Sequence, residues 1–145
     1  IREVIMNNSN NLQQSCKSYE ELVPGYEFPS ASYELSDSVI SKYLKAVDSS
    51  EGIKTSEEFV PPLAIAAYAM ATMAGSLPLP PGAIHASQEL ESFKLLPVGA
   101  TIDCQAKVAR KLTRGKLRML VLELNVFDQS KERVQSGKAT IMLPA

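Results

Sequence analysis

The chain has little of what most catalytic and binding motifs require. It carries one histidine, His85, so any imidazole chemistry must use that residue. Two cysteines, Cys16 and Cys104, form neither a disulfide framework nor a zinc-ligand pattern. There is no phosphate loop, metal-ligand cluster, nucleophile elbow or dinucleotide fingerprint. Neither sign of charge is in excess: the net charge of −1 gives no global pull toward nucleic acid or membrane. Long apolar runs are also missing. The stretch from Leu63 to Ala74 is too short to span a bilayer, and residues 1–18 lack the apolar core of a signal peptide. With both thiols read as reduced, these features predict a cytoplasmic protein.

What is present reads as one domain. A length of 145 residues suits a single core, and an apolar fraction of 45% is ordinary for a globular chain. Residues 7–15 are polar and low in complexity, so residues 1–18 read as a flexible arm and residues 19–145 as the domain. Pro24-Gly25 is a turn signal, and a short strand is expected over Ala31 to Leu35. Ser36 or Asp37 caps a helix whose apolar stripe is Val39, Ile40, Tyr43, Leu44 and Val47. Asp48 to Glu58 is acidic and reads as a surface loop.

The next segment is the most informative. Pro62 to Ala74 is chargeless and alanine-rich, with proline at its first turn and Gly75 at its end. A helix apolar on every side is expected to be buried on every side. Leu77 to Gly82 is an extended connector, because its prolines fit neither helix nor central strand. The rest alternates with the period of a sheet. A strand is expected over Ile84 to Phe93. In later strands Ile102, Cys104, Ala106 and Val108, then Leu120, Leu122, Leu124 and Val126, then Ala139, Ile141 and Leu143 each share a face. Turns fall at Gly115 and at Asp128 to Glu132. The order predicts an α+β hotdog fold, a five- to six-stranded antiparallel sheet wrapped around one buried helix. Apolar residues on both faces of some strands predict that a second copy or a related partner covers part of the sheet.

The sequence resembles the MaoC-like hotdog family of hydratases and dehydratases acting on acyl-CoA or acyl-carrier-protein thioesters. The resemblance rests on Val23-Pro24-Gly25-Tyr26, on Ile84 to Phe93, on Leu96-Pro97-Val98-Gly99-Ala100-Thr101-Ile102 and on Arg133 to Thr140. It covers roughly residues 22–144 and is nearest to the non-catalytic N-terminal dehydratase-type units. Active members carry an Asp and a His at the entry to the buried helix, and a backbone N–H there polarises the thioester carbonyl. Here that stretch reads Phe59-Val60-Pro61-Pro62-Leu63-Ala64-Ile65, with no acid, base or nucleophile. General acid–base chemistry needs a titratable group within reach of the proton, and this position offers none.

Three groups remain as candidates. Strand alternation puts His85, Ser87, Glu89 and Glu91 on one face, so His85 with Glu89 is either an acid–base couple or a structural pair near a dimer seam. Lys107, Arg110, Lys111, Arg114, Lys116 and Arg118 form a basic hairpin. It either holds coenzyme A phosphates or an acidic carrier protein, or is a solvated tip. No aromatic residue interleaves it, which argues against nucleic acid. Pro61, Pro62, Tyr68, Met70, Met73 and His85 either line an acyl site or, for the helical residues, are plain core.

The resemblance therefore implies an acyl-thioester-binding subunit of a fatty-acid-type lyase, paired with a catalytic hotdog chain and needing no cofactor or metal. Coenzyme A or phosphopantetheine enters only as part of the substrate. The alternatives are a stand-alone hydratase or thioesterase using His85, and a non-enzymatic homodimer that binds CoA ligands.

Overall fold

The computed structural model describes residues 17–47 and 59–144. Most of the expected arm, the loop expected over Asp48 to Glu58, and Cys16 lie outside the described residues.

The elements run β1 (Ala31–Glu34), α1 (Asp37–Ala46), α2 (Pro62–Ala74), β2 (Ile84–Ser92), β3 (Thr101–Arg114), β4 (Leu117–Phe127) and β5 (Arg133–Pro144). Five strands form one antiparallel sheet in the order β1-β3-β4-β5-β2. The Ser36 hydroxyl accepts from the Val39 N–H and caps α1. The tight β3–β4 turn needs a left-handed residue, and Gly115 supplies it with φ +60°. The β4–β5 turn is built by Asp128. Its carboxylate accepts from the Ser130 and Glu132 N–H groups at 2.9 Å and pairs with Lys94.

The inner face of the sheet carries the core. Ile102, Cys104, Ala106 and Val108 of β3 and Leu120, Leu122, Leu124 and Val126 of β4 are all buried, as the alternation predicts. Each large member contributes roughly 1.5–3 kcal/mol through its burial. Helix α2 lies across this face and buries Ala64, Ile65, Tyr68, Ala69, Thr72 and Met73.

The expectation of a helix buried on every side is corrected here. Leu63 is 66% exposed, and Ala66, Ala67, Met70 and Ala74 are only half-buried. The sheet packs chiefly against the side of the helix that carries Ile65, Tyr68, Ala69, Thr72 and Met73, and leaves this stripe only partly covered.

Three bulges set the site. One residue is extra in β2 at Ala86, one in β3 at Ala109 and one in β5 at Val134. Each bulge reverses which face the following residues present.

Candidate functional site: the entry of the central helix and the β2 edge

The helix starts with two prolines. Pro61 and Pro62 have no N–H to offer, and Ala64 and Ile65 both donate to the Pro61 carbonyl. The Leu63 N–H is left as the first-turn donor without a partner among the described residues. The preceding segment is fixed by the Val60 N–H, which donates to Leu96 O at 2.8 Å. Val60 is buried, and no titratable side chain stands anywhere in Phe59 to Ile65.

Beside this entry sits a residue that sequence reading missed. Gln135 is 2% exposed, and its Nε2 donates to Pro62 O at 3.0 Å and to Ser92 Oγ at 3.2 Å. The side-chain amide thus ties the first turn of α2 to β5 and β2. The cause is the Val134 bulge, which buries two consecutive residues and turns Gln135 inward opposite Val126. Its position on the face of Ala139, Ile141 and Leu143 was the available signal.

A second missed residue is Gly137. A Cβ there would lie 2.4 Å from Glu89 O, so β2 and β5 approach more closely than any side chain permits. Between α2 and these strands runs a crevice lined by Ala66, Ala69, Gln88, Leu90 and Gln135. Its open space is about 10 Å³, room for one water and not for an acyl chain.

The expected His85–Glu89 face is overturned by the Ala86 bulge. His85 stands opposite Ile141, on the inner face, whereas Ser87, Glu89 and Glu91 stand opposite Thr140, Lys138 and Ser136, on the outer face. His85 Nε2 instead lies 3.1 Å from Gln88 Oε1, a neutral amide. Among the described residues no carboxylate orients the ring.

The six basic residues are likewise divided. Lys107 stands on the outer face, and the Ala109 bulge puts Arg110 on that face too and turns Lys111 inward, opposite Leu120. Lys107 pairs with Glu123 at 3.3 Å. Lys111 donates to the Leu22 carbonyl at 2.9 Å and lies 4.4 Å from the centre of the Tyr19 ring. Arg118 pairs with Glu20. These last two contacts clamp the segment around Tyr19 to the hairpin. Arg110, Arg114 and Lys116 are exposed and make no ion pair among the described residues.

The expected acyl-site residues also fall on two sides of α2. Tyr68 packs on Tyr33, with ring centres 4.7 Å apart, and Met73 is in the core. Burial pushes the phenol of Tyr68 above its ordinary value, with the neighbouring Tyr33 adding to it. Pro62 and Met70 lie on the open side, and Pro61 is half-buried at the N-cap. Burial also pushes the Cys104 thiol up to about 12, so it stays protonated and unreactive near neutral pH. No three metal-ligating side chains cluster among the described residues, and no described helix is long and apolar enough to cross a membrane.

Comparison with known proteins returns structures rather than sequences. No family model and no curated protein matches the chain. Solved structures do match. The (R)-hydratase PhaJ1 of Pseudomonas aeruginosa superposes with TM-score 0.70 at 20% identity, over 87% of this chain and 84% of that one. A MaoC-like dehydratase from Rhodospirillum rubrum gives TM-score 0.66 at 20% identity, over 86% and 94%. A chain of the ChsH1–ChsH2 complex from Mycobacterium tuberculosis gives 0.65 at 12% identity, over 83% and 98%. At such identities the likeness is one of fold: the chain has the hotdog fold that hydratases and dehydratases of this kind also have.

Proposed function

We propose that this chain binds acyl thioesters as the non-catalytic half of a paired hotdog hydratase or dehydratase, whose partner supplies the acid and base. The observation that carries the reading is the chemistry of the helix entry. Phe59 to Ile65 offers no titratable group, and the one histidine is held by a neutral amide while the nearest glutamates point to the opposite face. What remains at the entry is a binding element, the spare Leu63 N–H, which suits a thioester carbonyl.

Two further features support pairing. Strand β2 is a sheet edge exposed along all nine residues, and α2 leaves an apolar stripe uncovered on the same side of the sheet as Leu90. Assemblies of two named hotdog-fold chains occur among the similar structures. Of the basic hairpin, Arg110, Arg114 and Lys116 are the groups free to meet the phosphate of a coenzyme A or phosphopantetheine arm.

Calorimetric titration with a saturated acyl-CoA and with an acyl-carrier protein tests this. The folded chain is expected to bind the thioester. Replacing Arg110, Arg114 and Lys116 together by alanine is expected to weaken binding about tenfold. Lys111→Ala, whose ammonium is already engaged, is expected to leave affinity unchanged. Absence of binding to either thioester by folded protein contradicts the proposal.

A further inference from the structure

The outer face of the sheet carries a row of charges in strict register. The isolated bridge pairs Glu27 with Lys107, β3–β4 pairing sets Lys107 opposite Glu123, β4–β5 pairing sets Glu123 opposite Lys138, and β5–β2 pairing sets Lys138 opposite Glu89. Directly opposite residues share a face, so the signs run minus, plus, minus, plus, minus across the whole sheet. Within the row Lys107 and Glu123 are in contact at 3.3 Å. Burial raises the Glu123 carboxyl, but Asn125, Lys107 and Lys138 outweigh it and hold the group below its ordinary value. The row stops at the open edge on a carboxylate. Glu89 is exposed and makes no ion pair among the described residues, and neither does Glu91, which faces the same way opposite Ser136.

We infer that the strand seated on β2 presents a lysine or arginine opposite Glu89, so that this edge selects a different chain over a second copy of itself. The inference rests on the pairing of the β2 edge proposed above. Its basis is charge complementarity. Strand β2 reads Ile-His-Ala-Ser-Gln-Glu-Leu-Glu-Ser and contains no lysine or arginine. In a two-fold antiparallel self-pairing, the outward positions available to face Glu89 are Ser87, Glu89 and Glu91. A hydroxyl or a like charge therefore meets it in every register. Like charges directly opposite destabilise a strand pair, and across an interface they act chiefly to reject the wrong partner. On the inner side the requirement is different. There the partner meets Leu90 and the uncovered stripe of α2, so its strand is basic outward and apolar inward.

The test uses the chain itself as the probe. A Glu89→Lys/Glu91→Lys copy mimics the inferred partner strand, and both sites are exposed, so the fold is expected to survive; circular dichroism checks this. Glu89→Gln/Glu91→Gln serves as a milder second copy. Sedimentation equilibrium is run on each chain alone and on mixtures at low and high salt. The mixture of wild type with the lysine copy is expected to associate at least about tenfold more tightly than wild type with itself, with the advantage shrinking at high salt. The glutamine copy is expected to fall between. A mixture no tighter than wild type alone, whatever the absolute affinity, overturns the inference. Hydrogen exchange on the mixture separates this from the underlying reading. Association without new protection of the β2 amides overturns edge pairing itself.

Discussion

The two edges of the sheet are built in opposite ways. The β1 edge is blunted: β1 has four residues, and the chain before it is broken by Pro24, Gly25 and Pro29 while still bonding to β3 through Gly25, Tyr26 and Phe28. Short strands and prolines are how proteins prevent unwanted pairing. The β2 edge has nine residues, no proline and no lysine, and every residue is exposed. Leu90 within it and Phe93 just beyond it stand in the open. One edge is closed by the chain's own sequence and the other is open among the described residues. The open edge lies beside the helix entry, where Gln135 joins Ser92 of β2 to the first turn of α2.

The largest expected effect separates central from edge strands. Ile102→Ala in β3 removes a fully buried side chain and is expected to cost about 3 kcal/mol in urea unfolding. Leu90→Ala in β2 is expected to cost less than about 1 kcal/mol in the isolated chain. An equal cost at both sites erases the comparison. Gly137→Ala comes next, since its methyl meets Glu89 O; destabilisation of about 2 kcal/mol and loss of amide protection in β2 are expected. Gln135→Leu follows. It leaves the shape filled but unties the helix entry from Ser92, so hydrogen exchange in the first turn of α2 is expected to rise while the sheet is unaffected.

The smallest effect is electrostatic. The Glu123 carboxyl is held below its ordinary value of 4.5 in the folded chain. A depressed carboxyl adds stability that is present above the unfolded value and lost as pH falls through the folded one. Wild type is therefore expected to lose stability below about pH 4.5 more steeply than Glu123→Gln, in denaturant midpoints measured across that range. Parallel pH profiles remove Glu123 from the charge row.

Much of this was legible in the chain before folding. Pro62 at the first turn and Gly75 at the end mark the central helix at its observed limits, because those two residues have fixed preferences at helix termini. The alternation of β3, β4 and β5 marks the core for the same reason: period two leaves little choice of face. The bulges were not legible. Ala86, Ala109 and Val134 are ordinary strand residues, and an extra residue shows only in the register of the partner strand. Alternation counted across a bulge therefore gives the wrong face for residues on its far side. His85 falls on the face opposite Glu89 and Lys111 on the face opposite Lys107 for this reason, whereas Gln135 is in phase with Ala139, Ile141 and Leu143 and its inward position is legible. The charge row is not legible in the sequence for another reason: its five members come from five separate segments. The uncovered stripe of α2 reflects a different limit: an apolar helix reports that it needs covering, not that one chain does all of it.

The most direct test of the central claim is hydration of a panel of trans-2-enoyl-CoAs by the purified chain alone, followed by loss of the conjugated thioester absorbance. The account predicts no turnover at any chain length by folded protein, and no difference between wild type and His85→Ala. Clear turnover that His85→Ala abolishes contradicts it, and makes the chain a complete enzyme with its active site on β2.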